Sequence, residues 1–536
     1  MIEIKLVSDT FPTAAFPFYG TVLQVTGLEE NYRIERIEVN GEWVRDFFIY
    51  CDGQKNEKYE LLADAGSVSV YVRTDWTPGD TIEIAICLKG DSEAQTERVS
   101  NAHVAVAQGG YWDKSYKYYA CVIIYNDTEY PRSNEPVHQP MAVYADRMTD
   151  PSNEVRVVHV DSAGVHTEIP SQVYDVHIWE QFSDIHCQPT CNFDVAFITS
   201  VNAHSTGTYL VFYGNEEGKA AKYETDLKVT GKGFALHIEN KYYAVNLHDV
   251  SGSIYDIAIK QGVNQIFAHG LETNGSVNWN PDIYAPPVPW NHISDWAPPQ
   301  EYAVTIGPVF CMVKRWGTMP MYDDVLCSVT YVFYAGYKPI IIETTMELTK
   351  SRGVLALRNG EIVVNKELAD GVAWKNIDGT VQSSTILDLP RHPTCGKYLH
   401  RNTPWVALFN RNLKAAIGVV YIDDVNIRKD GGLTRADPHI YIHHGPWIYV
   451  ARPILYTFVG NNPQRVMHAH GNTINYEKLA WIPFAMGTGE DAFEPMENAN
   501  AHLRSPLNRR VFMDTDKRAP SEWIPPILLE EFEEIG

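Results

Sequence analysis

Two hairpin patterns bracket a crowded polar insert, and this feature most constrains how the chain can fold. The first, F-A-L-H-I-E-N-K-Y-Y-A-V-N-L (234–247), alternates apolar Phe234, Leu236 and Ile238 with polar His237 and Glu239 and turns at Asn240-Lys241. Such a period of two places apolar side chains on one face of a strand. The second, S-V-T-Y-V-F-Y-A-G-Y-K-P-I-I-I-E-T-T-M-E-L (328–348), turns at Ala335-Gly336. Between them lies N-W-N-P-D-I-Y-A-P-P-V-P-W-N-H-I-S-D-W-A-P-P (278–299), dense in Trp and Pro. Proline fixes φ and removes backbone donors, so this stretch is neither a regular strand nor a helix. Its aromatic content argues against disorder. A long irregular insert of this kind in a compact β region reads as a loop that builds a site.

The 536 residues exceed what one core accommodates, and a prior of about 100–200 residues per domain gives about three domains. Residues 1–100 read as a small N-terminal β domain, with S-V-S-V-Y-V-R (67–73) and T-I-E-I-A-I-C-L (81–88) joined by a T-P-G-D turn. Residues 101–230 read as a β-sandwich with strands near 117–125, 155–160, 193–201 and 207–215. Residues 231–490 hold longer strands and loops and read as the catalytic region. Residues 491–536 read as an extended tail ending in a short helix, I-L-L-E-E-F-E-E-I (527–535). The fold class is all-β, built of antiparallel β-sandwiches with few helices.

A formal charge of −23 repels nucleic acid and anionic membranes, so neither is an expected partner. Screening over about 8–10 Å lets local arginines reverse that sign inside a cleft. No apolar run of about 18 residues suggests a transmembrane helix. The start, M-I-E-I-K-L-V-S-D-T, alternates like a strand and shows no signal peptide, which reads as cytoplasmic as written, or secreted or periplasmic if a signal has been removed. Of eight scattered cysteines, Cys187 and Cys191 alone are close neighbours, which allows a disulfide in an oxidising compartment.

Residues 35–90 resemble the small N-terminal β domain of bacterial glycan-degrading enzymes, most closely in V-Y-V-R-T-D-W-T-P-G-D-T-I-E-I (70–84). I-Y-N-D-T-E-Y-P-R-S-N-E-P-V (124–137) looks like the opening strand of their next sandwich. G-P-V-F-C-M-V-K-R-W-G (307–317) and T-Y-V-F-Y-A-G-Y-K-P-I-I-I-E-T (330–344) are similar to the large galactose-mutarotase-like supersandwich of polysaccharide lyases and some glycosidases and epimerases. The resemblance spans residues 30–485 and is one of strand order. It implies a large supersandwich domain over 231–490 and an oligo- or polysaccharide substrate. The site must be argued from chemistry.

His and Arg outnumber carboxylates in the polar clusters of this region, which suits β-elimination of a uronate glycan, making a polysaccharide lyase the expected activity. Such a lyase neutralises the sugar carboxylate, removes the α-proton and protonates the leaving oxygen. His292 or His443 is the expected base, Tyr284 or Tyr476 the acid, and Arg315, Arg358 or Arg452 the carboxylate clamp. Trp279, Trp290 and Trp405 are placed to stack on sugar faces, with Asn278, Asp295, Asn359 and His400 completing the substrate contacts. The competing readings are structural: Arg315 paired with Asp323, Trp290 and Trp296 as pins for the loop.

A glycoside hydrolase or sugar isomerase on the same scaffold is the alternative. A hydrolase needs two carboxylates about 5–10 Å apart, drawn from Asp282, Asp295, Glu343, Glu347 and Glu361. A non-catalytic carbohydrate-binding or structural β protein is the third reading. No cofactor is expected, and no metal site is assigned. A structural or charge-neutralising divalent ion stays open because H-A-H (468–470) puts two imidazoles on one strand face. The tail 491–536 leaves a homo-oligomer open.

Overall fold

The computed structural model describes residues 3–513 except 28–32, 40, 45–46, 52–53, 57–66, 74–80, 90–95, 106–111, 180–188, 261–264, 269–280, 366–367, 389–396, 428–432, 435–438, 443–446, 457, 460–461 and 464–465. The fold is all-β, antiparallel in its strand pairings, with few helices.

Residues 3–105 form two sheets of five and four strands. The middle sandwich packs a five-stranded sheet on a three-stranded one, its core filled by Val122, Phe193, Phe197 and Val211. Its edge strand Arg132–Tyr144 contains Pro136 and Pro140, which an edge position tolerates because one side needs no ladder donor. The chain returns at its other end: Asn508–Phe512 pairs with Tyr118–Asn126.

The large body has two layers. One is a ten-stranded sheet, nine strands in a row from Glu301–Ile306 to Val381–Thr385 with Leu433–Thr434 paired off it. The other consists of a five-stranded sheet over 228–268 and a six-stranded sheet that includes Ala356–Asn365 and Trp447–Tyr456. Alternation decides what fills the interior: Ile340, Ile342 and Met346 meet Leu236, Ile238, Ile283 and Leu357 there. The intervening residue Ile341 faces the opposite way, where Phe310, Tyr334 and Ile482 receive Met496 and Ala499 of the helix Glu494–Leu503. That helix replaces the extended chain expected beyond residue 490. The segment 527–535, expected as a helix, lies outside the described residues.

Candidate functional site

The insert enters the described structure at Pro281 and adds two short strands to the six-stranded sheet. In Asp282–Tyr284, Asp282 stands opposite His292 of Asn291–His292 on one side and opposite Arg358 on the other. Directly paired residues share a sheet face. Three charge-bearing side chains therefore meet, while neighbouring Ile283 and Leu357 turn into the core.

Arg358 grips Asp282 along its edge. Nε donates to Oδ1 at 2.9 Å, and Nη2 lies 2.8 Å from Oδ2. The indole N–H of Trp290 reaches Oδ1 at 3.3 Å, and Nδ1 of His292 lies 3.6 Å from Oδ2. The second oxygen has no aligned hydrogen bond, so charge holds it in place. Burial pushes the Asp282 carboxyl up, but Arg358 and then His292 outweigh burial and leave it below the usual carboxylate range.

Above this pair the aromatic rings run nearly parallel. Trp290 stacks on Tyr284 at 5.4 Å and 8°, and on His292 at 6.3 Å and 11°. The Arg358 guanidinium lies 4.9 Å from the Trp290 ring centre. Tyr284, Trp290 and His292 are each partly exposed, whereas Asp282 is buried. Asp295, at the surface, accepts the backbone N–H of His292 at 3.0 Å.

The loop is stapled on its far side. Trp296 is buried and donates to the carbonyl of Thr318 at 2.8 Å, which makes it a pin. Tyr322 accepts from the amide of Ala285 at 3.0 Å and donates to the carbonyl of Pro289 at 3.1 Å. Asn359 is buried beside Arg358 where the strand register shifts, and its Oδ1 has no partner among the described residues. Such bulges re-aim side chains.

No family model matches the chain, and no curated protein matches it in sequence. Among solved structures it is similar to a glycosyl hydrolase family 38 protein from Enterococcus faecalis, with 10% identity over 76% of this chain and 48% of that one at a TM-score of 0.46. An α-mannosidase from Enterococcus faecalis V583 gives 11%, 76%, 47% and 0.47. A putative aldose 1-epimerase from Escherichia coli K12 gives 8% over 48% of this chain and 100% of that one, at 0.27. The chain spans about half the length of the two Enterococcus proteins. At these scores the likeness assigns neither family nor activity.

Arg315, Tyr476, Trp405 and His400, the other expected site residues whose side chains are described, do not join this cluster. Arg315 is fully buried between the two layers, where it donates to the Ser251 carbonyl and the Tyr331 hydroxyl rather than pairing with Asp323. Tyr476 lies on the opposite face of the large sheet, since its neighbours Asn475 and Glu477 are buried and Leu479 points into the core. Burial, then Glu343 and Asp423, push its hydroxyl pKa up. Trp405 has no exposed surface and bonds Glu497 through Nε1 at 3.2 Å, so it offers no face to a sugar. His400 is exposed and accepts the Asn402 amide at 3.1 Å. Asn278, Trp279 and His443 lie outside the described residues, as does the side chain of Arg452. His468 and His470 sit with rings 4.6 Å apart, and no group of three or more metal-ligating side chains forms among the described residues.

Proposed function

We propose that this chain is a carbohydrate-active enzyme that transfers a proton through His292 to or from a sugar stacked against Trp290 and Tyr284. The observation that carries the proposal is the Asp282–His292 contact beneath the near-parallel rings. The buried Asp282 carboxylate, 3.6 Å from Nδ1, orients the imidazole of His292, a group suited to exchanging a proton with substrate. Aromatic rings with an exposed face match the C–H side of a pyranose.

Hydrolysis or isomerisation suits this arrangement better than β-elimination. Elimination needs a cationic clamp, and of the two clamp candidates whose side chains are described, Arg358 is engaged by Asp282 and lies against Trp290, and Arg315 is sealed in the core. Asp282 lies 3.6 Å from the His292 ring, and Asp295 fixes the backbone of the same residue by accepting its N–H at 3.0 Å, so one carboxylate faces the proton carrier and a second holds it in place. The substrate class is also that named for the mannosidase and the putative epimerase, although the proposal rests on the site.

Three products separate the readings when the protein is incubated with neutral glycans, uronate glycans and free aldoses. New reducing ends mean hydrolysis, and altered anomer or epimer ratios mean isomerisation. A conjugated product absorbing in the ultraviolet means elimination and refutes the preference stated above. Activity that survives intact in His292→Ala refutes the site.

A further inference from the structure

A cavity of about 400 Å³ lies on the other side of the large sheet, where that sheet meets the middle sandwich and the C-terminal end of the helix Glu494–Leu503. We infer that it is a second binding site, for an uncharged saccharide of one or two pyranose units, independent of the His292 reading. Glu135, His138, Tyr334, Glu343, Lys478 and His502 supply its polar wall.

Charge sets the ligand class. Arg132 holds Glu135 through two contacts of 2.6 Å, and Lys478 lies 2.7 Å from Glu343. Each carboxylate is thus matched by a cation, and no cation of these pairs is left over for an anionic ligand. The imidazoles add no charge at neutral pH. His138 bonds the hydroxyls of Tyr174 and Tyr334, each at 2.8 Å, and burial, then Lys478, lowers its pKa to about 4. Burial and Arg132 bring His502 to about 4 as well.

Shape and polarity narrow the choice. Val332, Ile341 and Ile422 with the ring of Tyr337 give the cavity an apolar surface. An aliphatic ligand would cover that surface but take water from the Thr330 hydroxyl and from the spare acceptor capacity of the Glu135 and Glu343 carboxylates, which is costly. A neutral polyol ring satisfies both, with C–H faces on the apolar side and hydroxyls toward the carboxylates and the Thr330 hydroxyl. The volume falls in the range of about 300–1,000 Å³ usual for small-ligand sites.

The test uses the full chain with methyl hexosides, cellobiose, maltose and mannobiose as probes and methyl glucuronide as the charged control, read by saturation-transfer NMR and calorimetry. At least one neutral probe is expected to bind, with Thr330→Trp weakening it tenfold or more and His292→Ala leaving it unchanged. Loss of that binding in His292→Ala, equal or tighter binding of the glucuronide, or no neutral binding overturns the inference, whatever the fate of the His292 reading. Should Thr330→Trp fail to fold, wild-type crystals soaked with the tightest probe decide. Sugar density between Thr330 and His138 supports the site, and its absence there overturns it.

Discussion

Arg358 and Asp282 meet edge to edge inside the protein, with Nε–Oδ1 at 2.9 Å and Nη2–Oδ2 at 2.8 Å, and neither side chain reaches solvent to any extent. Removing one partner strands the other charge. Asp282→Ala should therefore cost about 3–5 kcal/mol, while the double change Asp282→Leu with Arg358→Met should cost far less than twice that. Urea unfolding of the two variants measures both. A loss below about 1 kcal/mol in Asp282→Ala would show that the pair is not desolvated.

Trp290 has two duties that substitution can separate. Its indole N–H bonds Asp282, and its ring covers Arg358 and flanks His292. Trp290→Phe keeps a ring and loses the donor, so the substrate KM should rise only a few-fold. Trp290→Ala removes the platform, and a loss of about 1.5 kcal/mol of stacking corresponds to a KM about tenfold higher. Equal KM values for both variants would remove the ring from substrate binding.

The alternating strands were legible because burial on one sheet face imposes a period of two. The 328–348 hairpin appears as Tyr322–Tyr334 and Ile340–Leu348 around its Gly336 turn, where φ is +60°. The strand Arg132–Tyr144 was hidden by its prolines, and the helix Glu494–Leu503 by burying little more than Met496 and Ala499. The insert announced itself by composition, and Asp282 was visible only as one carboxylate among several. Its union with Arg358 depends on pairing across more than seventy positions, which local pattern cannot encode. His138 was missed altogether: a lone histidine among prolines carries no motif, and Tyr174 and Tyr334 reach it from other strands.

Stability should fall as pH drops from about 6.5 toward about 4. His138 stays neutral in the folded protein down to about 4, whereas the unfolded chain binds the proton near 6.5, so acid favours unfolding within that window and the loss is complete below it. Lys478 and Arg509 add to burial in lowering the value, and Glu343 opposes them. The full drop corresponds to about 3 kcal/mol, and we expect about 2 kcal/mol after partial solvent screening. His502 acts in the same direction. Urea unfolding at pH 7.5, 6.0, 5.0 and 4.5 should show the decline, and His138→Gln should flatten it. An unchanged slope in that variant would assign the decline to other groups.

Arg315 is a buried cation with no carboxylate partner among the described residues, held by the Ser251 carbonyl at 2.5 Å and the Tyr331 hydroxyl at 2.9 Å, with Nε unpartnered. Gly252 makes room for it. There φ is +70°, and a Cβ would fall 2.7 Å from Arg315 Cδ and 3.0 Å from the Phe234 ring. Gly252→Ala should therefore cost about 1–3 kcal/mol through strain and crowding. Arg315→Met keeps the volume and removes the desolvated charge, so stability should change by less than about 1.5 kcal/mol in either direction. Activity separates structure from chemistry: a guanidinium sealed in the core cannot touch a substrate, so Arg315→Met should turn over normally. A variant that folds as well as the wild type and loses turnover would return Arg315 to the site and undo the case against a cationic clamp.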